Sequence, residues 1–287
     1  MNLNALQTFL TIIEAGSLIR ASERLNVTQS TVTARLQSLE DELGQSLVNR
    51  HKSGVTLTGS GERLRRYAET MIELWRQARQ ETALPNTVQS VCNIGCHADL
   101  WPNMAQTLFD QIRQTQSSVG LSVWHGGQNE LTSWLNSGLS DVVLTYWPAT
   151  QPRQTALALP PDELILVSTR ADAPLKFDPG YFYVEAGQEF GRKHAAAFSD
   201  AAAAKINFGS ATLGIEHILV HGGSAYLPRR MVQRLMDDGK LFHLIEAPAF
   251  ERPAYLLYNT TAVEAWPWFH EAIEAAFGAQ VASKIRQ

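Results

Sequence analysis

Two cysteines in 287 residues cannot build a disulfide framework, and a reducing compartment such as the cytoplasm fits so few. No run approaches the ~18 consecutive apolar residues of a membrane span. The N-terminal residues lack a basic stretch leading into an apolar one, so no secretory signal is expected. Also missing are a nucleophile elbow, a phosphate-cradling GxxxxGK loop, a GxGxxG turn after a strand and an HExxH helix. Without them the sequence predicts no catalytic residues, no cofactor and no metal, and an enzyme is disfavoured. Charge of one sign is not in large excess, with a net of –4, while 45% hydrophobic and 18% charged residues exclude a disordered or fibrous chain. At about 150 residues per domain, the length suggests two domains.

The weak net charge is unevenly spread. Residues 1–82 carry 10 basic and 9 acidic groups, and residues 83–287 carry 14 and 19. A near-neutral head on an acidic body can still bind DNA where its cations cluster, because binding follows the local field.

Leu6, Phe9, Leu10 and Ile13 share one face of a first helix, which Gly16 stops. Ser17 is placed to cap a second helix at about Leu18–Leu25, and Thr28 a third at about Gln29–Leu43. Two short helices, a tight turn and a helix rich in small hydroxyls form a helix-turn-helix pattern. Thr28, Gln29, Ser30, Thr31, Thr33 and Arg35 are candidate DNA contacts, since amides, hydroxyls and guanidiniums reach base edges and phosphates. Two β-prone runs then flank Arg50-His51-Lys52, a cationic wing tip suited to phosphate. A proline-free stretch, Gly61–Ala83, predicts one long helix whose stripe of Leu64, Tyr67, Ala68, Met71, Leu74, Trp75 and Ala78 calls for a partner. Pro85 opens a linker.

Beyond Val88 strands and helices alternate, predicting a parallel sheet with helices on its faces. One helix is expected at Leu100–Thr115 and one near Phe190–Ala204, with strands at Leu164–Ser168 and Ala254–Tyr258 among others. Some 200 residues of this kind suggest an α/β body of two lobes. Cys92 and Cys96 would stand about 13 Å apart on a strand, too far for a disulfide. Cys96, His97 and His125 are too loose a set to predict a metal site.

The head resembles the LysR-type transcriptional regulators through Ala21-Ser22-Glu23-Arg24-Leu25-Asn26-Val27-Thr28-Gln29-Ser30-Thr31-Val32-Thr33. Leu39-Glu40-Asp41-Glu42-Leu43-Gly44 and the positions Leu47, Arg50, Leu57, Thr58 and Gly61 extend the likeness. In the body Gly138-Leu139-Ser140-Asp141 and the glycine turn Gly222-Gly223 before Pro228 are similar to the family more loosely. Ser22 and Val48 depart from the family pattern, Val48 at the base of the wing. The resemblance implies a winged helix-turn-helix over residues 1–58, a linker and dimerisation helix over 59–84, and an effector-binding domain over 85–287. That domain would be a periplasmic-binding-protein-like pair of α/β lobes, one near 88–161 with 266–287, the other near 162–265. It further implies double-stranded DNA as partner, a homodimer or homotetramer, and a small-molecule effector between the lobes whose binding alters the spacing of the heads.

Ligands of such sheets sit beyond the carboxyl ends of strands, which selects His97, Asp99, Trp101, His125, Trp147 and Ser210. Asp99 would repel an anion, so the set suits an aromatic or cationic effector. Asp99 reads equally as the N-cap of a helix starting at Leu100, with Pro102 in its first turn. A repressor that needs no ligand, and a solute-binding module or enzyme with a vestigial head, remain as alternatives.

Overall fold

A computed structural model describes residues 2–51, 54–176, 178–199, 204–278 and 281. The chain divides into two compact units, Met1–Pro85 and Asn86–Gln287.

In the first unit α1 (Leu3–Ala15), α2 (Leu18–Arg24) and α3 (Gln29–Leu43) bury Leu6, Phe9, Ile12, Val32, Leu36 and Leu39 in one core. Gly16 and Gly44 adopt the left-handed conformation as they stop α1 and α3. The antiparallel wing pairs β1 (Val48–His51) with β2 (Gly54–Leu57). It is anchored to the first helix turn, because the Val55 N–H donates to the Gly16 carbonyl at 2.9 Å. Val48 is buried at the wing base, opposite Leu57. Helix α4 (Gly59–Thr82) starts under the Thr58 cap, whose hydroxyl accepts from the Gly61 N–H at 3.0 Å. Its Ala68, Leu64, Met71 and Ile72 pack on the core, while Tyr67 and Trp75 are exposed.

The second unit is α/β, with a curled mixed sheet. Strands β3 (Ser90–Cys96), β4 (Val119–His125) and β5 (Val142–Thr145) are parallel, joined through α5 (Gln106–Thr115) and α6 (Gln128–Ser137). The parallel expectation ends there. Two long antiparallel strands, β6 (Gln154–Ser168) and β11 (Phe250–Asn259), run through both halves of the sheet. Tyr255–Tyr258 pairs with β5, and the β6–β11 register shifts between Arg252 and Ala254. Pro160 and Pro161 fall where the β6–β11 register shifts, since proline cannot donate to the ladder. Beyond the shift β6 pairs with β9 (Ser224–Pro228) and β10 (Phe242–His243). The two-stranded β7 (Tyr183–Val184) and β8 (Asn207–Phe208) complete that half, with α7 (Gln188–Ala197), α8 (Ala211–His221) and α9 (Arg229–Asp237). Helices α10 (Thr260–Val263) and α11 (Phe269–Phe277) return to the first half.

Each half has its own apolar core, around Ile94, Leu108, Leu144 and Phe269 in one lobe and around Ile165, Phe182, Ile218 and Leu227 in the other. Part of the helix expected near Phe190–Ala204 lies outside the described residues, and α7 ends at Ala197. No helix among the described residues is long and apolar enough to cross a membrane.

The expected helix at Leu100–Thr115 is broken. A short 3-10 turn, Ala98–Leu100, is followed by Pro102 in extended geometry and Asn103 at φ 59°, and regular helix begins only at Gln106. Pro102 therefore does not occupy a first helical turn.

The tightest backbone approach in the head is at Gly61, where a Cβ would stand 2.1 Å from the Leu47 carbonyl oxygen. Gly61→Ala must push the wing base off α4. We expect it to lower the unfolding free energy by about 1–3 kcal/mol in urea titrations of the isolated first unit if that unit folds alone, or of the full chain. Stability equal to wild type would contradict this packing.

Candidate nucleic-acid interface and effector junction

Helix α3 begins with a cluster of linked hydroxyls. Thr28 caps it by accepting from the Thr31 N–H at 3.2 Å, and its hydroxyl lies 2.8 Å from those of both Ser30 and Thr31. Gln29 and Ser30 are exposed, and Thr31 and Thr33 are half-buried on the same N-terminal half of the helix. The structure thus gathers the expected set but divides its labour. Thr28 is engaged as a cap, whereas Gln29 and Thr33, four residues apart, stand on one helix face. Arg35 is turned inward, its guanidinium donating to the buried Thr8 hydroxyl of α1 at 3.4 Å. Arg50 and His51 are exposed on β1, with His51 3.3 Å from the Thr56 hydroxyl. Lys52 lies outside the described residues.

In the second unit the residues after β3 do not form an open cleft. Asp99 is wholly buried and does not cap its own helix. One of its oxygens accepts from the Ala211 N–H at 2.9 Å and the Thr212 N–H at 3.4 Å, so it caps α8 of the other lobe. Ser210 caps the same helix from its own side, accepting from the Leu213 N–H. The second Asp99 oxygen has no hydrogen bond and lies 3.7 Å from the Arg252 guanidinium. Burial raises the Asp99 carboxyl above its ordinary value, against the opposing pull of Arg252 and the two helix N–H groups.

Four charged residues meet here. Arg230, the second residue of α9, donates to Asp162 through Nε at 2.5 Å and Nη2 at 3.0 Å. It also donates to the carbonyls of Asp99 and Pro102. A regular helix would have used those carbonyls, so the Pro102–Asn103 break frees them for the clasp. Asn103 adds a bond to the Arg230 carbonyl at 2.9 Å. Asp162 and Arg252 face each other in register on the crossing strands. Arg252 lies 3.3 Å from the centre of the Tyr146 ring, and the Tyr146 hydroxyl donates to Asp162 at 2.6 Å.

His97 and Trp147 come together, with ring centroids 5.7 Å apart, and Tyr146 lies 5.0 Å from His97. Burial and then Arg252 lower the His97 pKa to about 4, leaving a neutral ring at pH 7. Trp101 instead packs edge-on to Phe109 on α5. His125 is exposed at the end of β4, opposite Cys96. Cys92 and Cys96 are buried free thiols, and burial raises both.

Sequence reading missed Arg230, Arg252 and Asp162. Their one local signal is context: Asp162 follows two prolines, and Arg230 follows the turn from Gly222 to Pro228.

Residues 3–62 match the family of the bacterial regulatory helix-turn-helix protein, lysR family. The HTH-type transcriptional regulator HdfR of Escherichia fergusonii is 29% identical over 261 residues, 90% of this chain and 92% of that one. The structure is similar to that of CbnR, a LysR family transcriptional regulator, with a TM-score of 0.69 at 16% identity over 98% of this chain and 99% of that one. Full-length LysG of Corynebacterium glutamicum with bound effector Arg is similar at a TM-score of 0.51 and 20% identity, over 96% and 98% of the two chains.

Two outcomes test the junction. Asp99→Ala leaves Arg252 and the α8 N–H groups unpaired and should cost about 3–5 kcal/mol in urea, with Asp99→Asn costing less; equal costs would mean that the charge is unimportant. His97 has a folded pKa below its unfolded value. Its contribution is therefore present above about pH 6.5 and is lost as pH falls toward about 4. Between pH 7.5 and pH 5 wild type should lose on the order of 2 kcal/mol more than His97→Gln. Parallel pH profiles would show that His97 is not held neutral.

Proposed function

The chain is a LysR-type transcriptional regulator, and we propose that it reads a specific double-stranded DNA site as an oligomer and answers to a small molecule at the junction of its lobes. The observation that carries the DNA reading is the exposed N-terminal face of α3, presenting Gln29, Ser30 and Thr33 beside a wing bearing Arg50. Gln29, Ser30, Thr31 and Thr33 contact base edges or flanking phosphates, and Arg50 with His51 and Lys52 contacts the backbone. Thr28 contributes by fixing the start of α3. Arg35 holds α3 on α1 through Thr8.

Self-association is supported by α4, which leaves Tyr67 and Trp75 exposed eight residues apart while its other side packs on the head. A homodimer, or a homotetramer built from such pairs, would read a pseudo-palindromic site with half-sites spaced by whole turns. The protein acts in the cytoplasm on this reading, as a regulator and not as an enzyme.

The effector meets the junction around His97, Trp101, His125, Trp147 and Ser210. Asp99 already supplies the anion at the α8 N-terminus, so an anionic ligand gains nothing there. The neutral His97 and Trp147 rings and the incompletely paired Asp99 oxygen favour an aromatic or cationic ligand. LysG, similar in fold, is bound to the cationic effector Arg. The ligand works by its differential affinity for two lobe arrangements, read out as DNA affinity.

The test begins with genomic fragments captured by the full-length protein at physiological salt. Enrichment of a few pseudo-palindromic sites is expected. On the best site Gln29→Ala and Thr33→Ala should each cost about 1–3 kcal/mol and relax specificity at one position. Arg50→Ala should weaken specific and random DNA alike and reduce the salt slope by about one. A Gln29→Ala, Thr33→Ala double variant that binds its site like wild type would refute this face of α3.

A further inference from the structure

The second lobe contains a cavity of about 980 Å³ that belongs neither to the head nor to the junction. Its floor is apolar and aromatic, formed by Leu166, Leu175, Tyr181, Phe198 and Tyr226. Ligand sites typically span about 300–1,000 Å³ with mostly apolar walls and a few placed polar groups, and this cavity has that character.

Among its lining side chains the basic ones outnumber the acidic. Lys176, Lys205, His194, His217 and His221 line it, against the single acid Asp178. Asp178 is already committed: it accepts from the Ser224 hydroxyl at 2.5 Å and the Gly180 N–H at 3.0 Å, with Arg170 at 3.9 Å. Lys205 has no acidic partner among the described residues and is exposed. Inside, the Tyr181 hydroxyl lies 2.8 Å from His194 Nε2, and the two rings stack within 11° of parallel. Burial lowers the His194 pKa, so its ring is a neutral wall rather than a competing cation.

The floor is built by close backbone contact. Gly223 has φ 108°, and a Cβ there would stand 2.3 Å from the Gly180 carbonyl oxygen. This contact lets the loop before β7 and the turn before β9 meet beneath the cavity, where any larger residue would separate them.

We propose that this cavity binds a small carboxylic acid with an aromatic or branched apolar body, the body lying between Tyr181, Phe198 and Tyr226 and the carboxylate at Lys205. Size and lining select the body, and Lys205, with no acidic partner among the described residues, selects the anion. A sugar or nucleotide would leave most of its polar groups unpaired against these walls. The site complements the junction, where Asp99 already fills the anion position. Its lining includes His217 and His221, on the C-terminal half of the helix that Asp99 holds by its N-terminus.

The test uses 2-naphthoate and its uncharged analogue 2-naphthamide, titrated calorimetrically into the full-length protein without DNA. Naphthoate should bind, and the amide about tenfold more weakly or worse, a difference of about 1.4 kcal/mol. Lys205→Glu, at an exposed position, should erase that preference. Ala195→Trp, which projects into the cavity from α7, should abolish both. Thermal melting and DNA capture by the same variants report that they are folded. Equal binding of the two compounds, no binding of naphthoate, or wild-type binding by both variants would each overturn the proposal. None of these outcomes depends on whether a specific DNA site exists, so failure of the regulator reading would be seen separately.

Discussion

Two carboxylates and two guanidiniums, Asp99, Asp162, Arg230 and Arg252, are gathered at the junction of the lobes, and the geometry of the second unit depends on that cluster being complete. Each group alone would cost several kcal/mol to bury, and only matched charges with filled hydrogen bonds offset the loss of water. The cluster is neutral as a set and draws members from both lobes and from the strands that cross between them. Separating the lobes would strand charges that are matched only when they are together. Such a contact is closer to a discrete latch than to a graded spring, because its parts are satisfied together or not at all. The Pro102–Asn103 break belongs to the same device, since it turns two carbonyls away from a helix and toward Arg230.

The head is held by a different constraint, the close approach of backbones. The wing reaches α1 because Gly54 leaves room for the Gly16 carbonyl, and α4 reaches the wing base because Gly61 does the same for Leu47. These approaches set the wing against the first helix turn, so the position of Arg50 follows from glycine placement rather than from a side-chain contact of its own. The buried Val48 continues this packing, and the wing register runs unbroken from Val48–Leu57 to His51–Gly54.

The head was almost wholly legible in the sequence because its determinants are local. Caps, stop glycines and a 3.6-residue apolar period lie within a few residues of what they control, and α3 runs over the residues its pattern marks, Gln29–Leu43. Two details differ: Ser17 stands before α2 without a side-chain cap bond, and the bond of Arg35 to Thr8 spans 27 positions, so no local pattern announces it. In the body, element types followed from periodicity, but two features did not. The helix expected from Leu100 carries the right apolar spacing, yet a proline and a left-handed asparagine override it. Strand β6 crosses two adjacent prolines, which mark the point where its register with β11 shifts. The junction was half legible: strand ends pointed to His97, Asp99 and Trp147, but the partners of Asp99 lie 112 and 113 residues away at Ala211 and Thr212. Asp99 was read as a helix cap, and it is one, of a helix in the other lobe.

Helix α8 connects these observations into one physical scheme. Its N-terminus is held by Asp99 and Ser210, and its C-terminal half lines the aromatic cavity. A helix of 11 residues moves as a rigid body more readily than it bends, so a ligand that shifts either end changes the geometry offered at the other. A ligand competing with α8 for Asp99 would loosen the N-terminus, while an acid seated among Tyr181, Phe198 and Tyr226 would fix the opposite end. The two events would then be linked through one element, and linkage is reciprocal: whatever factor one ligand imposes on the affinity of the second, the second imposes on the first. If both ligands act on the same two positions of α8, their effects on DNA affinity must be coupled rather than additive, and the coupling must vanish when Asp99 no longer holds the helix.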